Sequence, residues 1–121
     1  MYLSYFPRNL PADTTGVKAW SGGILLREEV YDAVEAIYLE YSLKQLTDGK
    51  IRLEVYDETA GEVTLFVNVQ TEVPRVRGVA NIKPRLTKGN TYSGRLNVFQ
   101  AGASGSLVGD GWIRFVMIPY R

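Results

Sequence analysis

The sequence contains no cysteine and no histidine in 121 residues. Without cysteine there is no disulfide framework and no thiolate nucleophile or ligand. Without histidine the chain lacks the commonest general base and the commonest metal ligand. Serines 93, 104 and 106 therefore have no partner for a Ser–His triad. Asp and Glu remain as acid–base groups, and no pair of them has a spacing that marks it as catalytic. The chain is not expected to be an enzyme. No cofactor and no metal are expected; the acids Asp57, Glu58 and Glu62 lack the spacing of a calcium loop and read as a polar turn.

Long apolar runs are missing too. No stretch of about 18 apolar residues is present, so no membrane span is expected. The start, Met1 to Pro7, has no basic region leading into an apolar run, so no signal peptide is read there. The expectation is a soluble product, cytoplasmic or carried in a virion. Net charge is small, at +1, but unevenly placed. Residues 1–60 carry six Lys/Arg against ten Asp/Glu, and residues 61–121 carry eight against three, giving −4 and +5.

What is present is alternation. In Ile37 to Lys44 the odd positions Ile37, Leu39, Tyr41 and Leu43 are apolar, the period of a half-buried strand. Ile51–Tyr56 and Val63–Val69 keep the same parity and are rich in β-branched and aromatic residues. The three segments read as a consecutive meander. A three-residue loop, Thr47-Asp48-Gly49, would set Leu43 opposite Leu53 and Tyr41 opposite Val55, with Gly49 at the left-handed position. An odd-length loop would likewise keep Val55 and Val63 on one face.

Before the meander, residues 1–23 are rich in Pro, Gly and aromatics and read as an irregular arm, with one short strand near Val17–Trp20. Residues 27–35 fit either a short helix, with Val30, Ala33 and Val34 on one side, or an irregular strand. After it, Arg75 to Leu86 alternates apolar even positions with basic odd ones, ending at Pro84, which points to an edge. Tyr92, Leu96 and Val98 point inward on a further strand. Residues 100–111 read as a flexible glycine-rich loop. Trp112 to Pro119 is apolar on nearly both faces, which points to a central strand or to an outer face covered by another segment.

Six to eight short strands, Gly/Pro-rich turns and no repeat indicate an all-β chain. It is a single domain over residues 1–121, an antiparallel β-sandwich of jelly-roll type. The leading expectation for function is a structural or assembly protein that forms homo-oligomers, of the kind used in virions and fibres. It rests on the aromatic arm, the two-sided last strand and the charge asymmetry.

Two alternatives follow. Tyr38 and Tyr56, flanked by Glu40, Arg52 and Glu54, would form a sugar platform if the meander pairs as drawn. The stripe Arg75, Arg77, Lys83 and Arg85, joined by Arg95, would neutralise phosphates. That stripe lacks interleaved aromatics, so nucleic acid ranks third and a solvated edge explains the charge more simply.

Overall fold

The computed structural model describes residues 2–6, 10–11, 15–45, 50–69, 76–100 and 107–120, with side chains for 15–17, 20–42, 50–68, 80–98, 100 and 112–120. The elements are β1 (Tyr2–Phe6), β2 (Leu10–Pro11), β3 (Gly16–Trp20), β4 (Ile24–Leu25), α1 (Glu28–Ala33), β5 (Val34–Gln45), β6 (Lys50–Asp57), β7 (Glu62–Val69), β8 (Val76–Asn81), a 3-10 turn (Lys83–Arg85), β9 (Thr91–Gln100) and β10 (Leu107–Pro119). The chain is all-β, with α1 as its one short helix among the described residues.

The strands form two antiparallel sheets. One, sheet A, runs β1-β10-β5-β8, with β2 continuing the β1 side of β10. The other, sheet B, runs β3-β9-β6-β7, with β4 beside β9. Alternation fixes which side of each strand is buried. Ile37 and Leu39 of β5 and Ile113 and Phe115 of β10 share one apolar cluster with Ile51, Leu53 and Val55 of β6 and Leu96 and Val98 of β9. Cross-strand partners are like with like: Leu53 faces Leu96, and Leu39 faces Phe115.

The meander does not form. β5 pairs with β10 and β8, whereas β6 pairs with β7 and β9, so the chain changes sheet between β5 and β6. A shared parity is what a hairpin requires, but it is equally what two strands on facing sheets require, since both turn their odd residues to one core. The loop 47–49 itself lies outside the described residues.

The second hairpin, β6–β7, does form, by a different device. Its loop is Glu58–Gly61, an even four residues, with Asp57 opposite Glu62. A bulge between Val55 and Tyr56 lets Val55 face Leu65 and Leu53 face Val67, while Val63, expected on the face of Val55, pairs with the outward Tyr56.

Other expectations meet the strands differently. The arm over 1–23 is not irregular throughout, because Tyr2–Phe6 adds β1 to the free side of β10 and Gly16–Trp20 adds β3 to β9. The expected loop 100–111 is shorter at both ends: Gln100 belongs to β9, Leu107 to Gly111 belong to β10, and 101–106 lie outside the described residues. β10 is central, between β1 and β5. β8 pairs with β5 alone among the described strands and ends at Asn81, where Ile82 and Pro84 lead into the 3-10 turn.

Candidate functional site on the outer face of sheet B

The odd residues of β6 fill the core, so the even ones, Arg52, Glu54 and Tyr56, face away from it. Across sheet B, register places four side chains in one row. Trp20 of β3 pairs with Arg95 of β9, Arg95 with Glu54 of β6, and Glu54 with Phe66 of β7. Tyr56 and Arg52 stand one step along β6 on either side of Glu54, and Asn97 is paired with Arg52.

Glu54 is on the outer face yet has no exposure. Its neighbours cover it. Arg95 Nε donates to Oε1 at 2.7 Å, and Arg52 Nη2 lies 2.9 Å from Oε2. Asn97 Nδ2 lies 3.4 Å from both oxygens. A buried carboxylate is tolerated only when paired and hydrogen-bonded in this way.

The arginines in turn carry the aromatic rings. The Arg95 guanidinium carbon is 4.1 Å from the Tyr56 ring centre and 5.2 Å from that of Trp20, and the two rings meet edge-on at 5.6 Å. Arg52 lies over Phe66 at 4.6 Å. Such cation–π contacts contribute about 0.5–2 kcal/mol each, more where water is excluded. Trp20 and Phe66 remain 48% and 51% exposed at the two ends of the row. Three strand steps separate them, roughly 14 Å at the usual strand spacing.

Beside Phe66 an open hollow of about 380 Å³ is lined by Arg52, Val63, Thr64, Leu65, Phe66 and Arg85. Arg85 arrives from the 3-10 turn after β8 and donates from Nη2 to the Thr64 carbonyl at 3.2 Å. It thereby satisfies a backbone acceptor on β7, a strand that pairs with β6 alone among those described.

The sugar platform expected from Tyr38, Glu40, Tyr56 and Arg52 is not assembled. Tyr56 and Arg52 are on sheet B, but Tyr38 and Glu40 are on β5 in sheet A, because β5 and β6 do not pair. Glu40 instead accepts from Arg114 Nε, and Arg114 lies 5.4 Å from the Trp112 ring centre. Tyr38 stands between Val116 and Asn81 in register.

The basic stripe is likewise dispersed. Arg75 lies outside the described residues, and Arg77 is described only as a backbone position on β8. Lys83 is in the turn, where Nζ donates to the Val34 carbonyl at 2.6 Å and lies over Tyr31 and Tyr120. Arg95 is on sheet B with Glu54. The expected single strand stops at Asn81, and Lys83 and Arg85 fall in the 3-10 turn on either side of Pro84.

Trp20, Phe66 and Asn97 were not singled out as site residues. Their parity was readable, but parity does not say that β3, β9, β6 and β7 are neighbours in that order. No family model, no curated protein and no solved structure matches the chain.

Proposed function

We propose that the chain is a non-catalytic structural module that self-associates, built as a jelly-roll β-sandwich of the kind used in virions and fibres. The observation that carries the reading is the strand order. Leaving aside the two-residue strands, eight strands follow one another among the described residues. Sheet A takes the first, eighth, third and sixth of these, and sheet B takes the second, seventh, fourth and fifth. That order supports a reading as two interlocked Greek keys, the build shared by capsid and lectin domains. Such a fold hosts many functions, so the site chemistry has to choose among them.

The site chemistry supports a passive role. Glu54 and Glu40 are committed to arginines, and both oxygens of Asp57 are committed to the β6–β7 hairpin and its neighbour Asn90. Large apolar side chains stand exposed at Leu25, Ile118 and Tyr120, in addition to the row on sheet B. Light scattering during size-exclusion chromatography tests the reading. A stable dimer, trimer or larger ring is expected over a wide concentration range. A monomer at every concentration overturns it.

A further inference from the structure

We propose that the outer face of sheet B binds single-stranded nucleic acid, with Trp20 and Phe66 as stacking platforms and arginines between and beside them. This goes beyond self-association and does not depend on it.

Charge and donor chemistry carry the argument. The only carboxylate in the row, Glu54, has no exposure and cannot reach a ligand. Around it the guanidiniums of Arg52 and Arg95 reach the surface, 28% and 16% exposed, with the half-buried Asn97 and the exposed Asn68 beside them. The exposed carboxylate of Glu58 stands outside the row, where it accepts from Ser93 Oγ at 3.3 Å beside Tyr56. Two guanidiniums against one carboxylate leave the row cationic. Arg85 adds a further positive charge at the hollow beside Phe66, and no carboxylate lines that hollow among the described residues. Hydrogen-bond donors in excess suit phosphate oxygens. They suit a neutral sugar less well, since the carboxylate at the centre of the row is sealed in and the acceptors nearest it are the amide oxygens of Asn97 and Asn68.

The rings supply the other half. Arg95 and Arg52 each lie over a ring, which holds it in place, yet about half of each end ring stays exposed. Half-exposed aromatics interleaved with arginine are the pattern that binds unpaired bases without sequence readout. A flat sheet face carrying such rings is a known way to splay a single strand. A duplex keeps its bases stacked on one another and offers these rings nothing.

The test uses the full chain and a labelled oligothymidylate or oligouridylate, followed by fluorescence anisotropy at low salt. In a Trp112→Phe background Trp20 is the remaining tryptophan, so its emission reports directly on the row. Binding is expected to quench Trp20 and to weaken linearly with log salt, with a slope of about −0.7 per phosphate contacted. Trp20→Ala and Phe66→Ala each should weaken binding by roughly 5- to 150-fold. Arg85→Ala should weaken it and flatten the salt slope while leaving the Glu54 pairs intact.

All three substitutions are at exposed or half-exposed positions, and circular dichroism confirms that the variants fold. Duplex of the same length should bind more weakly. No binding of either single strand at low salt overturns the proposal. So does binding that ignores all three substitutions. Equal quenching of Trp20 by polygalacturonate would also overturn it, in favour of an acidic glycan. Each of these results is separate from the molar mass and leaves the self-association reading standing or falling by itself.

Discussion

At the scale of single residues, Gly94 has little room. It lies on β9 opposite Val55, where the backbone of sheet B comes close to sheet A. A Cβ placed there would come within 2.6 Å of Ile113 Cδ1 and 3.3 Å of Ser21 Oγ. Ser21 is itself fixed, since its Oγ accepts from Gly94 N at 2.6 Å and its N donates to Gly94 O at 2.7 Å. Ile113 is fully buried on the central strand β10. Gly94→Ala should therefore destabilise by about 1–3 kcal/mol through overpacking, read as a lower urea midpoint at unchanged slope.

The clashing atom also suggests a rescue. Ile113→Val removes Cδ1 and keeps the rest of the side chain. Alone, it should cost about 0.5–1.5 kcal/mol. Combined with Gly94→Ala it should be more stable than Gly94→Ala by itself. Additive losses in the double variant would show that the contact is not the cause.

At the scale of elements, the β6–β7 hairpin is held by Asp57, an acid of the polar turn expected from the sequence. Asp57 Oδ1 accepts from Thr59 N at 3.0 Å and Ala60 N at 2.9 Å, and Oδ2 accepts from Asn90 Nδ2 at 2.9 Å. Gly61 closes the turn with φ of 72° and donates to the Asp57 carbonyl. Burial by itself would raise the Asp57 pKa. Hydrogen bonds from Ala60, Asn90, Tyr92 and Thr59 outweigh it and hold the carboxyl below its ordinary 3.8.

A depressed folded pKa means the unfolded chain takes up the proton first as acid is added. The stabilisation is then complete above the ordinary value and is lost as pH falls through it towards the folded value. Asp57→Asn keeps the shape but removes this titration. Urea unfolding from about pH 6 to about pH 3 should show the stability gap between wild type and variant closing on the acid side. A gap that stays constant over that range would rule the carboxylate out as the source.

The same hairpin shows how far the sequence could be read. Parity along β5, β6 and β9 correctly assigned inward and outward sides, because each strand buries one face. Along β7 it held for Leu65 and Val67 but not for Val63, which pairs with the outward Tyr56. The inward Tyr92, Leu96 and Val98 were legible because β9 buries one face, whereas the two-sided apolar pattern of β10 gave its central place as one of two readings. Partnership was not. Ile37 to Leu43 and Ile51 to Val55 look identical whether they pair or face one another across the core, and the pairing reading was wrong. The bulge at Tyr56 was invisible, since nothing in Val55-Tyr56 or Val63-Thr64 marks it. Half of the expected sugar platform, Tyr56 and Arg52, did fall in the candidate site, and half went to the other sheet with the wrong pairing.

At the scale of the molecule, the two outer faces differ in charge among the described side chains. An isologous contact brings the same patch together twice, so any net charge on the patch is doubled across the interface. On sheet B the excess of guanidinium opposes such a contact. On sheet A, Glu40 and Arg114 neutralise one another. Around them stand Tyr38, Trp112 and Val116, half-buried, with Ile118 exposed at the end of β10.

Aromatic and aliphatic side chains around an internally paired charge suit the desolvated centre of an interface between copies. Sheet A is therefore the expected face for self-association, and sheet B stays open for the single strand. Ile118→Asp places a carboxylate at that contact and should shift light-scattering mass towards monomer at a given concentration. Phe66→Ala, on the opposite sheet, should leave the mass unchanged. If Phe66→Ala dissociates the assembly and Ile118→Asp does not, the two faces have been assigned the wrong way round.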